Sequence, residues 1–145
     1  PMRGTPYAMY RELLLLPSFV PCTPPPFGAL VGVDLRTGTI AWRVPLGAAS
    51  AGAPSSAGTP NLGGAITTAG GLTFIAATLD RTFRAFATRT GRELWQAALP
   101  AGGKATPMTY RAGGRQFVVI AAGGDGESFG TGDAIMAFAL SDSSR

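Results

Sequence analysis

The stretch Thr37-Gly38-Thr39-Ile40-Ala41-Trp42 recurs, 53 residues further along the chain, as Thr90-Gly91-Arg92-Glu93-Leu94-Trp95. An apolar residue precedes both copies at the same spacing, Val33 in the first and Phe86 in the second. A Thr-Gly turn between two short apolar segments is typical of a β-hairpin. A repeat of about 50 residues with several strands per unit is typical of the blades of a β-propeller, so the sequence predicts such blades.

Outward from this repeat, short apolar or alternating segments between Gly-rich turns predict further strands. Ala69-Gly70-Gly71 and Ala112-Gly113-Gly114 form a second echo, and each leads into an apolar strand. Together these signals indicate about two and a half four-stranded units. The strands are predicted at residues 30–33, 39–44, 65–68, 72–78, 83–88, 93–97, 107–110, 116–122 and 134–140.

The composition also favours an all-β chain. Its 145 residues include 21 Gly and 12 Pro, and both residue types weaken helix interiors and supply turns. The hydrophobic content of 46% is enough for a core. We expect an irregular, Pro-rich connecting segment at 1–27, propeller blades at 28–140 and a disordered tail at 141–145.

Several functional classes are excluded for this segment. The chain contains no His, so it cannot supply a Ser-His-Asp triad or an HExxH metal site. Cys22 is the only cysteine, so neither an internal disulfide nor a cysteine pair for zinc can form. The net charge of +4 is spread along the chain without a basic stripe, so no nucleic-acid partner is predicted. The leucine run 13–16 ends at Pro17 and is too short to span a membrane.

Several motifs carry a family resemblance. The Gly-x-x-x-Trp endings of the two hairpins resemble the tryptophan-docking motif of PQQ-dependent dehydrogenase propellers. The runs Pro60-Asn61-Leu62-Gly63-Gly64, Gly102-Gly103-Lys104-Ala105-Thr106-Pro107-Met108-Thr109-Tyr110 and Val118-Val119-Ile120-Ala121-Ala122-Gly123-Gly124 are similar to the C-terminal region of quinoprotein glucose dehydrogenases and their quinate and polyol relatives. The similarity covers nearly the whole chain.

The resemblance implies an eight-bladed propeller, of which this chain is the C-terminal part. It implies PQQ and a divalent cation, Ca²⁺ or Mg²⁺, as cofactors, with the catalytic base and most cofactor and metal contacts upstream. It also implies oxidation of glucose or a related sugar or polyol, with ubiquinone as electron acceptor, on the periplasmic side of the bacterial inner membrane. The chain alone, without the remaining propeller blades, is expected to be inactive.

Five residues are candidates for cofactor binding: three lie in loops that match the family's motifs, and Asp80 and Asp125 stand where the resemblance places a family Asp near the cofactor site and a family His. Catalytic residues and metal ligands are not predicted in this segment. Asp80 follows a predicted strand, and capping of a strand-end turn is the alternative role for it. Lys104 stands where the family commonly carries Gln, and Asp125 stands where the family usually carries His. The candidates are Asp80, Asn61, Lys104, Thr106 and Asp125.

A second function is compatible with the same repeats. Propellers of this type also serve as non-catalytic scaffolds for protein interaction, and a fold does not by itself imply chemistry. The residues upstream of this chain would distinguish the two alternatives, because an enzyme requires the family's Asp, Lys and His there.

Overall fold

A computed structural model of the chain describes residues 2–10, 14, 16–17, 21–48 and 56–141. Within these residues the regular structure consists of antiparallel β-strands, as the composition predicted. The strands are β1 (Ala29–Asp34), β2 (Thr39–Pro45), β3 (Ala65–Thr67), β4 (Leu72–Ile75), β5 (Thr82–Ala87), β6 (Glu93–Ala98), β7 (Met108–Ala112), β8 (Arg115–Gly124) and β9 (Thr131–Ala139).

The strands form three sheets in chain order. A two-stranded sheet, β1-β2, is followed by a four-stranded sheet, β3-β4-β5-β6, and then by a three-stranded sheet, β7-β8-β9. Within each sheet, consecutive strands pair with one another, which is the up-and-down arrangement expected of propeller blades. One complete four-stranded unit and parts of two others are therefore present in the described residues.

Most predicted strands are confirmed, with small shifts at their ends. β4 ends at Ile75, earlier than predicted, because Ala77 adopts a left-handed backbone (φ 57°) that an extended strand cannot contain. β9 begins at Thr131, earlier than predicted, because a register shift between β8 and β9 lets Gly124 pair with Thr131. The described residues before Ala29 belong to none of the nine strands. The predicted tail lies outside the described residues, apart from Ser141.

The sequence repeat is also a repeat of backbone geometry. Gly38 and Gly91 both have φ of 69°, a left-handed conformation that favours glycine. The N–H of Gly38 donates to the carbonyl of Asp34, and the N–H of Gly91 donates to the carbonyl of Ala87, at 2.7 and 2.8 Å. The two hairpins also share a bulge at the equivalent position, since the register shifts after Gly32 in one and after Ala85 in the other. The two copies therefore fold alike.

The sheets pack face to face with the four-stranded sheet in the middle. One buried cluster joins it to β7-β8-β9 and includes Phe74, Phe83, Val118 and Ile120. A second buried cluster joins it to β1-β2 and includes Leu46, Ile75 and Phe86, with Leu30 and Val44 packed against them. Burial of such side chains is the main stabilising term of the stack.

Each tryptophan of the repeat lies at one of these junctions. The Nε1–H of Trp42 donates to the carbonyl of Thr88 at 2.9 Å, and its ring lies so close to Gly91 that a Cβ there would be 2.5 Å from Cε3. Trp95 makes edge contacts with Phe83 and with Phe138 of the next sheet, at centroid distances of 6.0 and 5.2 Å. Trp95 remains 39% exposed.

Candidate functional site

The long connections of the chain gather at one end of the sheet stack. Because all strands are antiparallel, the segments that follow β2, β4, β6 and β8 leave the sheets at the same end. Hydrogen bonds join these segments: the N–H of Ala77 donates to Gly103, and the N–H of Gly124 donates to Gly102, at 2.9 and 3.0 Å. We call residues 46–48, 56–64, 76–81, 99–107 and 124–130 the connection end. All five candidate residues lie in it.

Asp80 is buried at the connection end and accepts hydrogen bonds from the chain itself. Its Oδ1 accepts from the hydroxyl of Thr78 (2.6 Å), from Nη1 of Arg84 (3.1 Å) and from the backbone N–H of Thr82 (3.2 Å). Its Oδ2 accepts from the backbone N–H of Ala48 (2.8 Å) and from Nη2 of Arg84. These five donors occupy the acceptor capacity of a carboxylate.

The Asp80–Arg84 pair links the connection after β4 to strand β5. Arg84 lies on β5, is almost fully buried and also approaches Glu93, with Nε and Oε2 3.5 Å apart. Burial acts to raise the pKa of Asp80, but the hydrogen bonds from Arg84 and Thr78 and the charge of Arg84 outweigh it, so this pKa lies below its ordinary value. Asp80 is therefore ionised and organises the turn before β5, and its contact with a cofactor stays a prediction.

Asn61 and Thr106 are exposed at the connection end. Asn61 pairs with Thr78 through a single β-bridge, and its Nδ2 lies 3.5 Å from the carbonyl of Thr59. Thr106 lies against Gly64, where an added Cβ would be 2.2 Å from the Thr106 hydroxyl. The Asn61 side chain contacts the backbone of Thr59, Thr106 lies next to Gly64, and both residues are accessible to a ligand.

Lys104 and Asp125 are brought together from different connections. Lys104 Nζ lies 3.4 Å from Oδ2 of Asp125, and 5.3 Å from the ring centroid of Phe129. Both side chains are partly exposed. Hydrogen bonds from the backbone N–H groups of Phe129 and Glu127, with a smaller effect of Lys104, hold the pKa of Asp125 below its ordinary value.

Sequence reasoning missed Arg81, whose environment depends on the tertiary structure. Arg81 has a left-handed backbone (φ 54°), which is uncommon for a residue with a side chain. Its guanidinium lies against Gly130, where an added Cβ would be 2.9 Å from Cζ. Ala77 and Arg81 therefore place two unfavourable backbone conformations within the connection end, and such conformations cluster at functional sites. The sequence offers no signal for them.

The described part of the chain contains no group of three or more His, Cys, Asp or Glu side chains that could hold a metal ion. It also contains no helix long and apolar enough to cross a membrane.

A stack of up-and-down antiparallel sheets with its long connections at one end defines a segment of a β-propeller. Residues 1–118 match the PQQ family model, described as the glucose/ethanol/alcohol dehydrogenase β-propeller domain. The chain belongs to this family of PQQ-dependent dehydrogenase propellers, as the sequence motifs predicted.

Relatives and solved structures agree with this assignment. The chain is 45% identical to quinoprotein glucose dehydrogenase A of Acinetobacter calcoaceticus and 42% identical to a probable quinate dehydrogenase (quinone) of Xanthomonas campestris pv. juglandis. Each match covers 98% of the chain but only 19% of the relative. The quinohemoprotein alcohol dehydrogenase of Comamonas testosteroni superposes on 74% of the chain and 14% of its own length, with a TM-score of 0.56 and 33% identity. The chain thus spans about a fifth of the length of the Acinetobacter and Xanthomonas dehydrogenases.

Proposed function

We propose that the chain is the C-terminal portion of a PQQ-dependent dehydrogenase that oxidises glucose or a related sugar or polyol and passes electrons to ubiquinone. We also propose that the protein acts at the periplasmic side of the bacterial inner membrane. The observation that carries the proposal is the gathering of all five candidate residues, from Asn61 to Asp125, at the connection end. Similarity to glucose and quinate dehydrogenases over nearly the whole chain supports it further.

The groups at the connection end suit the proposed cofactor. PQQ is a planar quinone with several carboxylates, so its site needs cationic and neutral hydrogen-bond donors. Lys104, Asn61 and Thr106 supply such donors at partly or fully exposed positions, and the exposed Arg81 adds a second cation. When bound, PQQ accepts the electrons removed from the alcohol. These residues would hold it.

The carboxylates of Asp80 and Asp125 would hold neighbouring residues of the cofactor site in position. Asp80 fixes the turn that carries Arg81, and Asp125 lies beside Lys104. We propose that ligands for Ca²⁺ or Mg²⁺ come mostly from the upstream part of the protein, since the described residues offer no cluster of metal ligands.

The outer faces of the stack support packing against the remaining propeller blades. On β7-β8-β9, Met108, Tyr110 and Ile135 are 56, 41 and 72% exposed on the face that points away from the four-stranded sheet. On β1-β2, Val33 and Ile40 are half-exposed on the far face. Contiguous exposed apolar faces mark surfaces that another element covers. Upstream blades on both sides would complete the ring.

The test uses the full-length protein that contains this chain. PQQ is titrated into the apo-protein with Ca²⁺ or Mg²⁺ present, and binding is followed by tryptophan fluorescence. Dye reduction is then measured with glucose, quinate and polyols. Saturable PQQ binding with substrate-dependent dye reduction supports the proposal. Absence of PQQ binding by a folded protein contradicts it and favours the non-catalytic scaffold.

A further inference from the structure

The loop 125–130 is folded around the carboxylate of Asp125. Oδ1 of Asp125 accepts from the backbone N–H groups of Glu127 (3.0 Å) and Phe129 (2.9 Å). The backbone N–H groups of Asp125 and Gly126 both donate to the carbonyl of Gly130, at 2.8 and 3.0 Å. A carboxylate that accepts two backbone N–H groups is a strong local organiser, because hydrogen bonds to an ionised acceptor exceed neutral ones in strength.

The loop is also fixed to the β6–β7 connection. Phe129 is buried, and its carbonyl accepts from the N–H of Gly102 at 2.7 Å. A Cβ at Gly102 would lie 2.5 Å from Cβ of Phe129, so this close approach requires a residue without a side chain. Two residues further on, Lys104 contacts both Oδ2 of Asp125 and the face of the Phe129 ring.

We propose that Lys104 and Asp125 form a positioning pair that holds the loop 125–130 as a preformed wall of the connection end. Lys104 acts on the loop through the two groups that order it, the carboxylate and the aromatic ring. Its role toward PQQ rests on the proposed function, whereas its role in ordering the loop does not. The contacts that Lys104 makes in the described structure are thus those of a positioning residue. Binding of a cofactor carboxylate would be an additional role.

The two carboxylate oxygens of Asp125 make different contacts. Oδ1 serves the loop's own backbone, and Oδ2 faces the neighbouring connection. A surface ion pair alone contributes little to stability. Here the ammonium also lies over an aromatic ring, and cation–π contact adds to the attraction. Loss of Lys104 should therefore loosen the loop moderately, while loss of the Asp125 carboxylate should release it.

The loop's order should depend on pH. The charged groups near Asp125 are Lys104 from the β6–β7 connection, Arg81 against Gly130 from the β4–β5 connection and Glu127 within the loop. The pKa of Asp125 is lowered by the backbone N–H groups and Lys104. Since a lowered carboxyl pKa stabilises the folded form above the unfolded pKa, the order is present at neutral pH and is lost as pH falls through the lowered value.

The experiment is hydrogen exchange, measured by mass spectrometry on the segment 123–131 of the full-length protein without PQQ. Lys104→Gln should raise the exchange rate of this segment roughly twofold to fivefold. Asp125→Ala should raise it by about tenfold or more, because two N–H groups lose their acceptor. Lys104→Arg should leave it unchanged, since the charge and the ring contact are retained.

Arg36→Gln is the matched control, because it removes an exposed Arg36–Asp34 pair at the opposite end of the stack. Its exchange over 123–131 should equal that of the parent protein. Unchanged exchange in either Lys104→Gln or Asp125→Ala overturns the positioning pair, whatever PQQ does. If exchange rises as expected but PQQ binds to none of these proteins, the pair stands and the proposed function fails. Weaker PQQ binding by Lys104→Gln with raised exchange supports both.

Discussion

The ring of Trp42 lies directly over Gly91, so that a single added methyl group at Gly91 would overlap the indole. Trp42 belongs to the first copy of the repeat and Gly91 to the second, and the contact joins two successive sheets. The indole N–H also donates to the carbonyl of Thr88, which belongs to the same turn as Gly91. We propose that this contact is the tryptophan docking that the sequence motif predicts, and the following two experiments test it.

The two repeat glycines offer a test of this contact with a built-in control. Gly91→Ala should destabilise the full-length protein by about 2 to 4 kcal/mol, combining a left-handed alanine with overlap of the Trp42 ring. Gly38 has the same φ of 69° but no atom within 4 Å of an added Cβ, so Gly38→Ala should cost only about 1 kcal/mol. Urea unfolding measures both. Equal losses for the two variants would contradict the docking contact.

The hydrogen bond of Trp42 can be tested separately from its packing. Trp42→Phe removes the donor to Thr88 and part of the ring, and should cost about 1 to 3 kcal/mol. Trp95→Phe is the control, because Trp95 is 39% exposed and a phenyl ring can retain its edge contacts with Phe83 and Phe138; it should cost less than about 1 kcal/mol. Thermal unfolding of the two variants measures both losses of stability. A larger loss for Trp95→Phe than for Trp42→Phe would contradict the stronger contact assigned to Trp42.

Asp80 should contribute much more to stability than Asp34, whose ion pair with Arg36 lies at the surface. Asp80→Asn leaves the buried Arg84 without its main countercharge and should cost about 3 to 5 kcal/mol. Asp34→Asn removes the partner of the exposed Arg36 and should leave the unfolding free energy unchanged within error. Chemical denaturation at neutral pH distinguishes them. A small loss of unfolding free energy in Asp80→Asn would contradict a strong stabilising contribution from the buried Asp80–Arg84 pair.

The same carboxylate gives stability a defined pH dependence. The pKa of Asp80 is lowered in the folded protein, so its contribution is present above the unfolded pKa and is lost as pH falls through the folded value. The parent protein should therefore lose stability on acidification more steeply than Asp80→Asn, which has no charge to lose at this position. If the unfolding free energies of the parent protein and of Asp80→Asn fell equally steeply with pH, this assignment would be contradicted.

The exposed face of β7-β8-β9 should make the isolated chain self-associate. Ile135 and Tyr110 lie on this face, and an uncovered apolar face favours association in water. Ile135→Lys should lower the apparent mass in light scattering, whereas Thr90→Lys, exposed in the turn between β5 and β6 and therefore away from this face, should not. A monomeric parent chain would show that this face needs no partner.

The isolated chain should also lack dehydrogenase activity with PQQ, Ca²⁺ and glucose.

The repeat of Thr37-Gly38 and Trp42 in Thr90-Gly91 and Trp95 predicted two hairpins and the kind of fold, and alternating apolar segments between Gly-rich turns predicted the other strands. Turn glycines and alternating apolar residues are local signals, since each acts on neighbours a few positions away. The motifs around Asn61 and Lys104 likewise predicted the family, and the family match confirmed it. Among the strand boundaries, the end of β4 was predicted wrongly because Ala77 carries no sequence signal for its left-handed backbone.

The roles of the candidate residues were decided by the tertiary structure. The sequence by itself determined that Asp80 follows a strand and that Lys104 and Asp125 lie in loops. Only the fold brought Arg84 and the N–H of Ala48 onto Asp80, and Lys104 onto Asp125. Arg84 is close to Asp80 in sequence, but its burial depends on sheets that are packed from both sides. Hydrogen bonds and charge pairs depend on distances of a few ångströms between distant segments, and only the packed sheets set those distances.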